Sequence, residues 1–182
     1  LLLWLALSVT PRTQPPSLSA RAQHVAVILA LIAVGIQIAL GGWVSTNYAA
    51  LACSGFPTCN GEWWPMTNFA EGFRIWRGIG VDYEGGVLDQ NARVAIQMAH
   101  RLWAIAVVAV IGWLLWRLRR AEDLRALAVV TGLVLLAQLG IGIYNVTGGL
   151  PLVNAVAHNG MAAILLAMLV VLLDRTRQRA SE

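Results

Sequence analysis

Long apolar runs separated by short polar ones set the pattern of this chain. Four of them, Val25 to Val44, Val94 to Trp116, Leu124 to Tyr144 and Leu152 to Leu173, reach the roughly 20 residues that a helix needs to cross a hydrocarbon core. A fifth, Leu1 to Thr10, is half as long. It lacks an initiator Met, a basic flank before it and a small-residue cleavage site after it, so it reads as the end of a transmembrane helix from a longer chain rather than as a signal peptide. The pattern predicts an all-α polytopic membrane protein. Its parts are a truncated helix at 1–10, a linker at 11–24, a four-helix transmembrane bundle at 25–173 with a large loop at 45–93, and a tail at 174–182.

Composition excludes a soluble domain: 58% of residues are hydrophobic and 12% charged, with a mean hydropathy of +0.68. Charge then orients the spans. The chain has no lysine, and Arg12, Arg21, Arg117, Arg119, Arg120, Arg125, Arg175, Arg177 and Arg179 fall in alternate loops and the C-terminal tail, which the positive-inside rule places in the cytoplasm. The opposite side receives the loop 45–93, with five acids, and the uncharged turn Asn145 to Pro151. The net charge of +4 is therefore a topology signal, and membrane lipid rather than nucleic acid is the expected surrounding.

Cys53 and Cys59, the two cysteines of the chain, lie in that outer loop as Cys-Ser-Gly-Phe-Pro-Thr-Cys. The spacing is not the Cys-x-x-Cys of a thiol oxidoreductase, and it favours a structural disulfide closing a Gly/Pro turn; a redox-active pair is the alternative. Trp63, Trp64, Phe69, Phe73 and Trp76 are interleaved with Glu62, Glu71, Arg74 and Arg77, which predicts a helix over Met66 to Ile79 in the headgroup plane, an anchor or a lid. Gly78, Gly80, Gly85 and Gly86 break the pattern before Asp89 and Arg93 lead into the next span.

The spans repeat as two similar hairpins. Gln37-x-x-x-Gly41 in the first is matched by Gln138-x-x-x-Gly142 in the third, and Ala99-His100 in the second by Ala157-His158 in the fourth. At the rise of an α-helix these four polar side chains lie at a common depth of about 10 Å below the outer helix ends. An ionisable ring inside a bilayer is costly and usually functional, and two imidazoles from facing helices are a haem-ligand set. Read singly, each histidine is also consistent with a satisfied intramembrane hydrogen bond; matched depth and matched repeat position favour axial ligation. Ala104 and Ala162, one turn below, leave room for a porphyrin. Gly41 and Gly142 do the same or merely allow close packing. Gln37 and Gln138 are second-line candidates, holding a ring N–H or a propionate or bonding each other. Arg101 is either a propionate partner or a snorkelling cation. His24, without a partner at its depth, reads as an interface residue.

These residues carry a resemblance. The run Gln37-Ile-Ala-Leu-Gly-Gly-Trp-Val-Ser-Thr-Asn-Tyr-Ala-Ala-Leu-Ala-Cys53, with Phe56-Pro-Thr-Cys59, Trp63-Trp-Pro65, Phe69-Ala-Glu-Gly-Phe73, Tyr83-Glu-Gly-Gly-Val-Leu-Asp89, His100-Arg101 and Ala157-His158-Asn159-Gly160, resembles the C-terminal half of a bacterial haem A synthase. The resemblance implies an eight-helix protein of two similar bundles in the bacterial plasma membrane, oxidising the C8 methyl of haem O to the formyl of haem A with water as oxygen source. It implies a haem b on His100 and His158, a Cys53–Cys59 disulfide, and a haem O substrate held by an N-terminal bundle that this sequence does not contain. Catalytic residues are not identified in this half, which alone is expected to be inactive. Haem O synthase and the cytochrome c oxidase assembly machinery are the implied partners, together with an unidentified electron acceptor. Two other classes stay open: a free-standing di-histidine b-type cytochrome passing electrons to quinone, and a membrane thiol oxidoreductase using the cysteine pair.

Overall fold

The computed structural model describes residues 2–10, 16–76, 78 and 86–177. Leu1, Arg12, Arg77, Ile79, Gly80, Tyr83, Glu84, Gly85 and Arg179, singled out in the sequence, lie outside the described residues. The elements are α1 (Leu2–Val9), α2 (Leu18–Arg21), α3 (His24–Thr46), α4 (Phe69–Gly72), α5 (Gln90–Leu118), a 3-10 turn (Glu122–Leu124), α6 (Arg125–Thr147) and α7 (Leu152–Thr176). Among the described residues there is no strand, only a bridge between Cys59 and Glu62. Helices α3, α5, α6 and α7 are long and apolar enough to cross a membrane, which makes this a multi-pass membrane protein. Helix α5 starts at Gln90, ahead of the expected Val94, because the Asp89 carboxylate caps it by accepting the Ala92 N–H at 2.7 Å.

The chain forms two compact units, and each of the four long helices contributes a stretch to both. The first unit comprises 1–35, 106–139 and 158–182. Its buried positions recur at helical spacing: Val27, Ala30 and Val34; Val107, Ile111, Leu114 and Leu118; Ala128, Thr131 and Leu135; Leu165, Leu169, Leu172 and Thr176. Ser17 caps α2 by accepting the Ala20 N–H at 3.1 Å and donates its hydroxyl to Asp123 at 2.9 Å. Arg117 lies over Trp113 and Arg119 over Trp116, at 5.1 and 4.8 Å. His24, expected to lack a partner, has one. The Thr176 hydroxyl gives its single hydrogen to the Leu172 carbonyl at 2.9 Å and accepts the Nδ1–H of His24 at 3.1 Å.

The second unit comprises 36–105 and 140–157. One core joins Val44, Ala49, Leu88, Ala92 and Ile96, with Trp43 and Ala50 against it; a second joins Ala52, Cys53, Cys59, Val94 and Met98. Of the helix expected over Met66 to Ile79, the described residues form only the four residues of α4. Asn68 caps its start by accepting from Glu71 N–H, and at its end the Gly72 carbonyl accepts the Trp43 indole N–H at 2.9 Å, which ties α4 to α3. Gly72 also lies so close to α5 that a Cβ there would stand 2.8 Å from the Ala92 carbonyl oxygen. At the α6–α7 turn, Gly149 and Leu150 adopt positive φ, and Asn154 donates to the Ile141 carbonyl at 2.9 Å and to Asn145 Oδ1 at 2.7 Å.

Candidate functional site

Helices α3 and α5 bring Gln37 to His100 within the second unit. The Gln37 amide nitrogen donates to the His100 backbone carbonyl at 3.2 Å and stands 3.2 Å from both ring nitrogens. Ring-nitrogen lone pairs diverge, so an amide equidistant from both lies along neither, and the contact positions the ring without capturing one nitrogen. Gly41, one turn beyond Gln37 on α3, leaves the space the ring uses: a Cβ there would be 3.3 Å from His100 Cε1. The Gln37 carbonyl oxygen is buried and has no hydrogen-bond partner.

The same pairing recurs in the first unit, where the Gln138 amide nitrogen of α6 lies 3.4 Å from Nε2 of His158 on α7. Gln138 Oε1 and His158 Nδ1 are both buried without a partner. The repeat read from the sequence is thus reproduced side chain by side chain: each glutamine meets the histidine of the following long helix. Along their own helices the residues are less evenly placed than expected. Gln37, His100 and Gln138 lie nine or ten residues from the helix ends, about 13–15 Å, and His158 lies six residues into α7, about 9 Å.

Arg101, given two roles by the sequence, has a third in the structure. Its Nη1 donates to the Thr58 carbonyl at 3.1 Å, and its Nη2 to the carbonyls of Cys53 at 3.0 Å and Gly55 at 3.1 Å. The recipients belong to the turn closed by the Cys53–Cys59 disulfide, whose two residues are fully buried. Asn60 binds the turn internally, accepting from Ser54 N–H at 2.9 Å and donating to the Ala52 carbonyl at 3.1 Å, which Gln90 of α5 also reaches at 3.0 Å. Sequence reasoning missed Asn60, Gln90 and the Asn145–Asn154 pair. The repeated Asn beside each loop was the available signal, but nothing local said which backbone groups these side chains meet. Among the described residues, no cluster of three or more His, Cys, Asp or Glu is present as a metal site.

Comparison with known proteins places the chain in a family. The family model COX15-CtaA, described as cytochrome oxidase assembly protein, matches residues 1–170. The chain is similar to the Heme A synthase of Shewanella oneidensis, 42% identical over 147 residues, which are 81% of this chain and 44% of that protein. It is also similar to the Heme A synthases of Sphingopyxis alaskensis, 29% identical over 97% of this chain and 45% of that protein, and Methylobacterium radiotolerans, 30% identical over 93% and 44%. No solved structure matches the chain significantly. The chain spans less than half the length of these relatives. With a family model matched over residues 1–170 and a relative 42% identical over 81% of this sequence, the chain belongs to the COX15-CtaA family.

Proposed function

We propose that this chain is the C-terminal, cofactor-binding half of a haem A synthase, in which His100 and His158 would hold a haem b. The observation that carries the reading is the repeated pair. In each unit a histidine within a membrane-spanning helix is held against a glutamine amide, at 3.2 Å for His100 and 3.4 Å for His158, while Gln37 Oε1, Gln138 Oε1 and His158 Nδ1 are buried and unpartnered. A buried polar atom without a partner costs about 1–3 kcal/mol, and the gathering of these three at the two glutamine–histidine pairs supports residues kept for a bound group; Gln97 Oε1 of α5, outside those pairs, is likewise unpartnered. Two neutral imidazoles are the donor set of a six-coordinate haem, and Gly41 gives one of them its room. The residues fit the group.

When bound by two histidines, such a haem supplies electron transfer rather than oxygen activation. The chain's own residues do the positioning. His100 and His158 present their rings, Gln37 and Gln138 restrain them through their amides, and the apolar helices exclude water. The substrate methyl belongs to haem O held by the other half of the protein. It passes to the alcohol and then to the aldehyde, with water as oxygen source and with electrons and protons released at each stage to an unidentified acceptor. Haem O synthase would supply the substrate, and cytochrome c oxidase assembly would consume the product. By the positive-inside rule, the loop between α3 and α5 faces outward from a bacterial plasma membrane and the C-terminus lies in the cytoplasm.

The division of labour is tested with the purified chain alone. Supplied with haem O and a quinone acceptor, it is expected to retain one haem b and to yield no haem A, because nothing in it positions the substrate methyl. Detection of the alcohol or formyl product would overturn that division, and failure to retain haem b after reconstitution would overturn the cofactor assignment.

A further inference from the structure

Outside the glutamine–histidine pairs, several polar groups converge on Arg101. Three backbone carbonyls of one seven-residue turn, those of Cys53, Gly55 and Thr58, point at a single guanidinium. Such a convergence requires the turn to hold a fixed shape. Gly55 contributes a positive φ of 78° that an L side chain rarely adopts, Asn60 bonds the turn from inside, and the disulfide ties its ends. The turn is laid along α5: Cys53 and Cys59 pack on Val94 and Met98, Gln90 holds the Ala52 carbonyl, and Arg101 lies eleven residues further on, three helical turns away. Arg101 directly follows His100, whose ring lies against Gly41, where a Cβ would stand 3.3 Å from its Cε1.

We propose that Arg101 is a positioning residue that transmits the shape of the disulfide-closed turn to the helical turn carrying His100, so that the setting of this ring depends on whether Cys53 and Cys59 are joined. Closed, the turn offers the half-buried guanidinium three charge-assisted acceptors. Opened, the carbonyls no longer converge; the guanidinium must find other acceptors, and the α5 turn moves with it. The role of the moved ring as a haem ligand rests on the function proposed above, but the clamp itself does not.

The test uses the full chain in membranes and the variants Arg101→Gln, Arg101→Lys, Cys53→Ser with Cys59→Ser, and Arg101→Gln combined with both serines. The first readout is independent of haem: dithiothreitol should reduce the disulfide about tenfold faster in Arg101→Gln, since charged hydrogen bonds that order the turn are gone, and Arg101→Lys should recover part of the difference. An unchanged reduction rate in Arg101→Gln would overturn the clamp. The second readout is the low-spin electron paramagnetic resonance signal of the haem-loaded protein. Arg101→Gln and the double serine variant should shift it in the same direction, and the combination should shift it no further, because both act through one connection. Additive shifts, or a shift in only one of the two, would overturn the coupling. If the unmodified protein holds no haem while the reduction rates behave as expected, the clamp stands and the cofactor assignment fails.

Discussion

Gly41 and His100 are matched across α3 and α5: the absent side chain of the first is the space occupied by the ring of the second, with a Cβ at Gly41 falling 3.3 Å from His100 Cε1. That separation is tight enough for an added methyl to displace the ring by a few tenths of an ångström. Gly41→Ala should therefore shift the haem absorption or resonance signal, and Gly41→Val should largely abolish haem retention. The neighbouring Gly42 has nothing within 4 Å of its own Cβ position, so Gly42→Ala should leave the signal unchanged. Equal effects at the two glycines would mean that the ring is not held by this contact.

The two glutamines differ in grip. Gln37 reaches both the His100 ring and its backbone carbonyl at 3.2 Å, whereas Gln138 makes a single contact of 3.4 Å with His158. Replacing Gln37 with Leu should weaken haem retention about tenfold, in the range typical for residues that orient a ligand, and Gln138→Leu should weaken it less. Haem-transfer rates to an excess of apomyoglobin measure both. A larger loss at Gln138 would reverse the order inferred from the geometry.

The four spans were legible because an apolar run of about 20 residues has few alternatives to a membrane helix. Their ends were less so. Hydropathy finds the hydrocarbon-buried stretch, while α5 continues back through Asn91 and Gln90 to a cap at Asp89 that is itself polar. The glutamine–histidine pairing was half visible. The repeat announced four related positions, but the sequence left open whether each glutamine would meet a histidine or another glutamine. The role of Arg101 was not visible, because its acceptors are backbone carbonyls 43 to 48 residues away, and a carbonyl carries no signature of its residue type. His24 and Thr176 are 152 residues apart and escaped for the same reason of distance. Helix α4 was overestimated because the segment is fixed by long-range bonds such as that from Trp43 to the Gly72 carbonyl, which local amphipathic spacing does not announce.

That bond gives a prediction about the loop. Trp43→Phe removes the indole N–H from the Gly72 carbonyl and should cost about 1 kcal/mol locally, a roughly fivefold faster hydrogen exchange at the Phe73 amide, which closes α4 on Phe69. Gly72→Ala should loosen the loop further, because its Cβ would stand 2.8 Å from the Ala92 carbonyl, a backbone atom that cannot simply rotate away. Exchange at Phe73 that is unaffected by either change would show that these contacts do not hold α4 in place.

The proposed pair of axial ligands is tested most directly by the optical and electron paramagnetic resonance spectra of the purified, haem-loaded chain beside His100→Ala, His158→Ala and His24→Ala. His100 and His158 are held by glutamines, and His24 by the Thr176 hydroxyl. The unmodified chain and His24→Ala should both show a low-spin, six-coordinate b-type haem, while each of the other two variants should become high-spin and five-coordinate or lose its haem. A six-coordinate, low-spin spectrum retained in both His100→Ala and His158→Ala would contradict the assignment and return the two histidines to the role of intramembrane packing residues.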